Sequence, residues 1–101
     1  MSENLIDLVK IIRKRKNKDK DKSYTSSLLS GGLSKCIDKM EEEFTELKEA
    51  LNDRSNVVHE AADIIYHILV TLEAADIKFE DVLKELENRK KQSGIEEKNN
   101  R

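Results

Sequence analysis

The chain contains no proline and no tryptophan, one cysteine and only three glycines in 101 residues. Without proline, and with so little glycine, it has almost no turn chemistry from which to build the hairpins of a β-sheet. A single cysteine, Cys36, excludes an internal disulfide, and its place on an apolar helical face reads as a buried thiol with no chemical task. No apolar run approaches the roughly 18 residues of a membrane span. The start MSENLIDLVKII has no basic segment ahead of its short apolar stretch, so no signal peptide is expected. A cytoplasmic protein with no membrane partner is the expectation.

What is present is charge and aliphatic surface. Charged residues make up 40% of the chain and hydrophobic ones 37%, rich in Leu, Ile, Glu and Lys, which predicts an all-α fold. The length allows one domain, 1–101, whose own core is thin enough that pairing with a second copy would add stability. The net charge of −2 is unevenly spread. The run RKRKNKDKDK (13–22) holds seven basic and two acidic residues, which leaves the remainder at net −7. Such a run either steers an anionic ligand or serves as a charged linker. Nucleic acid is not an expected partner, because the run has no interleaved aromatics and the rest of the chain repels phosphate.

Hydrophobic periodicity places the elements. Leu5, Leu8, Val9 and Ile12 recur at helical spacing and predict a first helix from Glu3 to about Lys16. SYTSSLLSGG (23–32) offers serine and threonine cap chemistry, and Gly31–Gly32 ends any short helix there. A second helix starts near Leu33, with a stripe of Leu33, Ile37, Met40, Phe44, Leu47 and Leu51 read as its core face. NDRSN (52–56) is a polar break of the length that joins antiparallel helices. A third helix, about 56–75, is apolar over a wide arc and should face more than one neighbour. A fourth, Phe79 to about Lys91, opens with Glu80 and Asp81, which suit the helix dipole. The tail from 92 to 101 has no hydrophobic period and reads as mobile. The predicted architecture is a bundle of four to five helices.

The second helix crowds Glu41, Glu42, Glu43 and Glu46 into KMEEEFTELKEA (39–50). At about 100° per residue, Glu42, Glu43 and Glu46 line one edge of the apolar stripe and Glu41 points to water. Glu60, Asp63 and His67 form a matching stripe on one flank of the third helix. If the two helices pack antiparallel, the acidic flanks meet, and five carboxylates in adjacent turns are unfavourable as bare anions. Either they form a solvated face or they await a cation. An oxygen-only set fits Mg²⁺, with Mn²⁺ as a substitute, rather than the Glu-x-x-His pairs of di-iron bundles. Mg²⁺ on such a site implies phosphate chemistry. His59 has no partner pattern and reads as structural.

EEEFTE (41–46) followed by EAAD (60–63) resembles the E-x-x-E…E-x-x-D pattern of the all-α nucleoside-triphosphate pyrophosphohydrolases. SYTSSLL (23–29), GLSKCIDKMEEEFTE (32–46), EAADIIYHILVTL (60–72), FEDVLKEL (79–86) and SGIEEK (93–98) together resemble, in order, the phosphoribosyl-ATP pyrophosphohydrolase family. The resemblance implies Mg²⁺-dependent hydrolysis of phosphoribosyl-ATP to phosphoribosyl-AMP and pyrophosphate, the second step of histidine biosynthesis, by a homodimer. By matched position it implies Glu43, Glu46, Glu60 and Asp63 as metal ligands, with Glu42 a further ligand or the base that activates water.

Other positions keep two readings. Lys39 binds a phosphate or is a surface lysine; Tyr24 and Thr25 shape the substrate pocket or cap and pack. Lys98 and Arg101 close over the substrate or fray, and His67 supports the site from its edge. Two other functions share these features. One is a housekeeping (d)NTP pyrophosphohydrolase with the same metal site; the other is a non-catalytic helical adaptor with a basic arm.

Overall fold

The computed structural model describes residues 2–16 and 23–91, which form five helices: α1 (Ser2–Arg15), α2 (Tyr24–Ser30), α3 (Leu33–Asp53), α4 (Val57–Ala74) and α5 (Phe79–Lys90). Among the described residues there is no strand, and the all-α expectation holds. Residues 17–22 of the basic run and the whole 92–101 tail, with Lys98 and Arg101, lie outside the described residues.

α4 is the hub, touching each of the other four helices, and this is what its wide apolar arc allows. The core joins Val9 and Ile12 of α1, Leu28 of α2, Cys36 of α3, Leu69 and Val70 of α4 and Phe79 of α5. Burial pushes the Cys36 thiol up, so it stays protonated, and its Sγ donates to the Leu28 carbonyl at 3.4 Å.

Short-range chemistry sets the boundaries. Ser23 caps α2 by accepting from the Ser26 amide at 2.9 Å, and the Ser26 hydroxyl donates to the Arg15 carbonyl, which ties α2 to the end of α1. Gly32 begins α3 at φ +88°, a backbone region that favours glycine. The α3–α4 turn needs only Arg54, Ser55 and Asn56. Arg54 and Asn56 are both left-handed, and the Arg54 amide closes α3 on the Ala50 carbonyl. The result is an antiparallel helical hairpin, and its length fixes which turns of α3 and α4 face each other.

The basic run begins inside the fold. Arg13 grips Glu80 through two guanidinium nitrogens at 2.6 and 3.0 Å and reaches Glu73 at 3.3 Å. Lys16 Nζ donates to Asp76 at 2.6 Å and to the Glu73 carbonyl at 3.0 Å. These contacts clasp the end of α1 to α4 and α5.

One expectation fails. Of the stripe read as the core face of α3, Leu33, Ile37, Phe44 and Leu51 are exposed, Phe44 by 57%. The residues of α3 that are buried are Cys36 and Ala50. A 21-residue helix covered mainly by α4 and the short α2 leaves one apolar side open. Met40 and Phe44, with Ile64 and Ile68 of α4, line a shallow apolar hollow of about 250 Å³ on that side.

Candidate active site at the helical hairpin

The hairpin brings the two acidic flanks together. Carboxylate oxygens of Glu43, Glu46 and Glu60 lie within 4.8 Å of one another, so residues from both helices share one small volume. Oxygens around an octahedral Mg²⁺ would sit about 3 Å apart as neighbours and about 4.2 Å apart across the ion. The three acids are therefore close enough to share a cation with little movement.

Their electrostatics point the same way. Burial, and then the hydrogen-bonded and charged Glu46 carboxyl, push Glu43 above the usual carboxylate range, while His67 opposes the shift. The same two causes raise Glu60, with Asp63 adding to the rise and His59 opposing it. Glu43 Oε2 and Glu60 Oε2 are both buried with no hydrogen-bond partner among the described residues. A buried acceptor left unpaired opposes folding. Two of them beside a third carboxylate form a donor set that fits a hard divalent cation.

The remaining predicted residues surround this triad. Asp63 lies one turn beyond Glu60; it forms a second group of potential ligand atoms, again within 4.8 Å, with Glu60 and His59. Glu42 does not join either group. Its side chain is 62% exposed and pairs with Lys39 at 3.1 Å. That pair, led by the hydrogen bond, holds Lys39 above the ordinary lysine range, so the ammonium stays charged. Lys39, Glu42, Glu43, Glu46 and Glu49 line an open cleft of about 470 Å³. A cation at one end and carboxylates along the floor suit a ligand that carries both phosphate and metal.

His67 closes one side. Its Nδ1 lies 2.8 Å from the Asp63 carbonyl, which can only accept, so Nδ1 carries a proton, and in the neutral ring Nε2 presents a lone pair. The Tyr24 hydroxyl then donates to Nε2 at 3.1 Å. The imidazole is 5% exposed and meets the Tyr24 and Tyr66 rings edge-on, with centroids 5.9 and 5.5 Å away. Thr25, by contrast, is fully buried and hydrogen-bonds the Tyr66 hydroxyl; it packs rather than lines the cleft.

His59, expected to be structural and without a partner, has one in Asp63. It is exposed on the rim, with Nε2 3.3 Å from Asp63 Oδ2. The signal was available: His59 precedes Asp63 by four residues, so the two share one column of α4.

Comparison with known proteins gives the chain a family. The family described as phosphoribosyl-ATP pyrophosphohydrolase matches residues 5–90. A phosphoribosyl-ATP pyrophosphatase of Rhizobium etli is 43% identical over 100 residues, covering 97% of this chain and 94% of that protein. One of Ruegeria pomeroyi is 46% identical over 96 residues, covering 93% and 91%. Another, of Roseobacter denitrificans, is 46% identical over 89 residues, covering 86% and 85%.

Proposed function

The chain belongs to the phosphoribosyl-ATP pyrophosphohydrolase family, and from that membership we propose that it hydrolyses phosphoribosyl-ATP to phosphoribosyl-AMP and pyrophosphate with Mg²⁺. One water splits the α–β phosphoanhydride, and the reaction would serve as the second step of histidine biosynthesis. The observation that carries the reading is the meeting of Glu43, Glu46 and Glu60 across the hairpin, with two buried oxygens that have no hydrogen-bond partner among the described residues.

Glu43, Glu46, Glu60 and Asp63 would hold the metal, which when bound neutralises phosphate charge and polarises or orients water. The other residues do what their positions allow. Lys39, kept cationic by Glu42, meets a phosphate oxygen at the open end of the cleft. Glu42, exposed and outside both ligand groups, suits the role of accepting a proton from water better than that of a ligand. Tyr24 and His67 form a fixed wall, since the hydrogen bond to the Asp63 carbonyl locks the ring on the same turn of α4. A homodimer is part of the proposal: Phe44, Ile65 and Ile68 are exposed on the hairpin's open side and suit a second copy.

The test is direct. Purified protein, Mg²⁺ and phosphoribosyl-ATP should yield pyrophosphate and phosphoribosyl-AMP in equal amounts, with loss of turnover in EDTA or in Glu46→Gln. An untouched substrate refutes the assignment. Turnover of a panel of dNTPs in preference would instead favour the housekeeping reading.

A further inference from the structure

Beyond the all-oxygen set, an imidazole nitrogen stands on the rim of the site. His59 Nε2 lies 3.3 Å from Asp63 Oδ2, and His59, Glu60 and Asp63 each offer an atom within 4.8 Å of the other two. Glu60 belongs to this group and also to the group with Glu43 and Glu46, and its Oε2 is buried without a partner among the described residues. The His59 side chain is 64% exposed, so no packing holds the ring where it stands. What places it there is helical spacing alone: four residues before Asp63 and adjacent to Glu60. Two arrangements account for this placement. In one, the ring donates a hydrogen bond to Asp63 and does nothing more. In the other, the Nε2 lone pair and the two carboxylates enclose a cation.

We propose that His59 supplies a nitrogen ligand to a divalent cation shared with Glu60 and Asp63, so that the rim of the site favours Mn²⁺ over Mg²⁺. This rests on the metal reading given above and adds to it a ligand of a different kind. Mg²⁺ takes oxygen almost exclusively and dehydrates reluctantly, whereas first-row transition ions accept imidazole alongside carboxylate. One imidazole on the outer group therefore changes which cation is held best there, while the inner group of Glu43, Glu46 and Glu60 stays oxygen-only.

The experiment loads metal-free protein with Mn²⁺ and reads pulsed electron paramagnetic resonance for nitrogen coupled to the ion. Calorimetric titrations with Mn²⁺ and with Mg²⁺ run beside it. The proposal expects nitrogen coupling in the wild-type protein and its loss in His59→Gln. It also expects Mn²⁺ affinity to fall about tenfold in that variant with Mg²⁺ affinity unchanged. His59 is exposed, so the variant should fold, and a melt in EDTA checks this. Mn²⁺ bound without nitrogen coupling overturns the proposal and leaves the carboxylate site standing. Coupling that survives in His59→Gln also overturns it and points to His67. If neither cation binds the wild-type protein, the metal reading of the whole site falls and takes this proposal with it.

Discussion

Replacing Glu43 with leucine should make the metal-free protein more stable and deaf to magnesium. Glu43 Oε2 is buried with no partner among the described residues, and its carboxyl crowds Glu46 in a group that also contains Glu60. Leucine removes the unpaired acceptor and its charge while keeping similar bulk. Removing one buried unsatisfied oxygen is worth about 1–3 kcal/mol. In a domain of this size each kcal/mol moves the melting temperature by about 4–8 °C. The variant should therefore melt at least about 4 °C above the wild type at pH 8 in EDTA.

Magnesium reverses the comparison. At a hundredfold excess over its Kd, a cation that binds only the folded state adds about 2.7 kcal/mol. The wild-type melt should then rise by on the order of 10 °C, while Glu43→Leu barely moves. Glu43→Gln is the control for shape: its amide can donate to Glu46, so it too should gain stability in EDTA and lose the magnesium response. Differential scanning calorimetry with and without Mg²⁺ reads both arms. A Glu43→Leu protein that melts lower than wild type in EDTA, or one that still responds fully to Mg²⁺, refutes the reasoning.

Lys39→Met should lower kcat/KM for the phosphorylated substrate by about tenfold or more, since it removes a charge-assisted phosphate contact; steady-state kinetics at saturating metal reads this. The Arg13 guanidinium, first through its hydrogen bonds, holds the Glu80 carboxyl down at about 2. Its unfolded value is about 4.3, so the folded state binds fewer protons between the two. The stability it contributes is complete above about pH 4.3 and is lost as pH falls through about 2. Urea titrations across that window should show the loss in the wild type and a flatter profile in Glu80→Gln. Ile12, 1% exposed in the core, should cost about 2–5 kcal/mol when cut to alanine, read as a lower urea midpoint with an unchanged slope.

Local patterns were legible and distant pairings were not. The starts of α3 and α5, and the span of α4, follow from periodicity and polar breaks to within a residue or so. The acidic flanks could be placed because the geometry of one helix and a short turn determines which side chains meet. The stripe on α3 misled because periodicity identifies an apolar face without saying what covers it, and Phe44 lies open as a result. The Arg13 clasp could not have been read at all. Its partners, Glu73 and Glu80, are 60 and 67 residues away, beyond any local rule. His59 is different, since its partner Asp63 lies four residues on in the same helix, a spacing visible in the sequence.

The two halves of α4 have opposite tasks, and a column of side chain–backbone bonds joins them. Its first half carries Glu60 and Asp63, whose crowding opposes folding. Its second half carries Leu69, Val70 and Thr71, buried against the core, with Glu73 held by the clasp. Between them, Thr71 Oγ1 donates to the His67 carbonyl at 2.7 Å, and His67 Nδ1 donates to the Asp63 carbonyl at 2.8 Å. Each bond reaches back four residues, so the ring and the hydroxyl tie the acidic turn to the packed one. Tyr24 and Tyr66 both meet the ring edge-on. A site whose own groups repel one another needs a rigid support, and here the support is the continuation of the same helix.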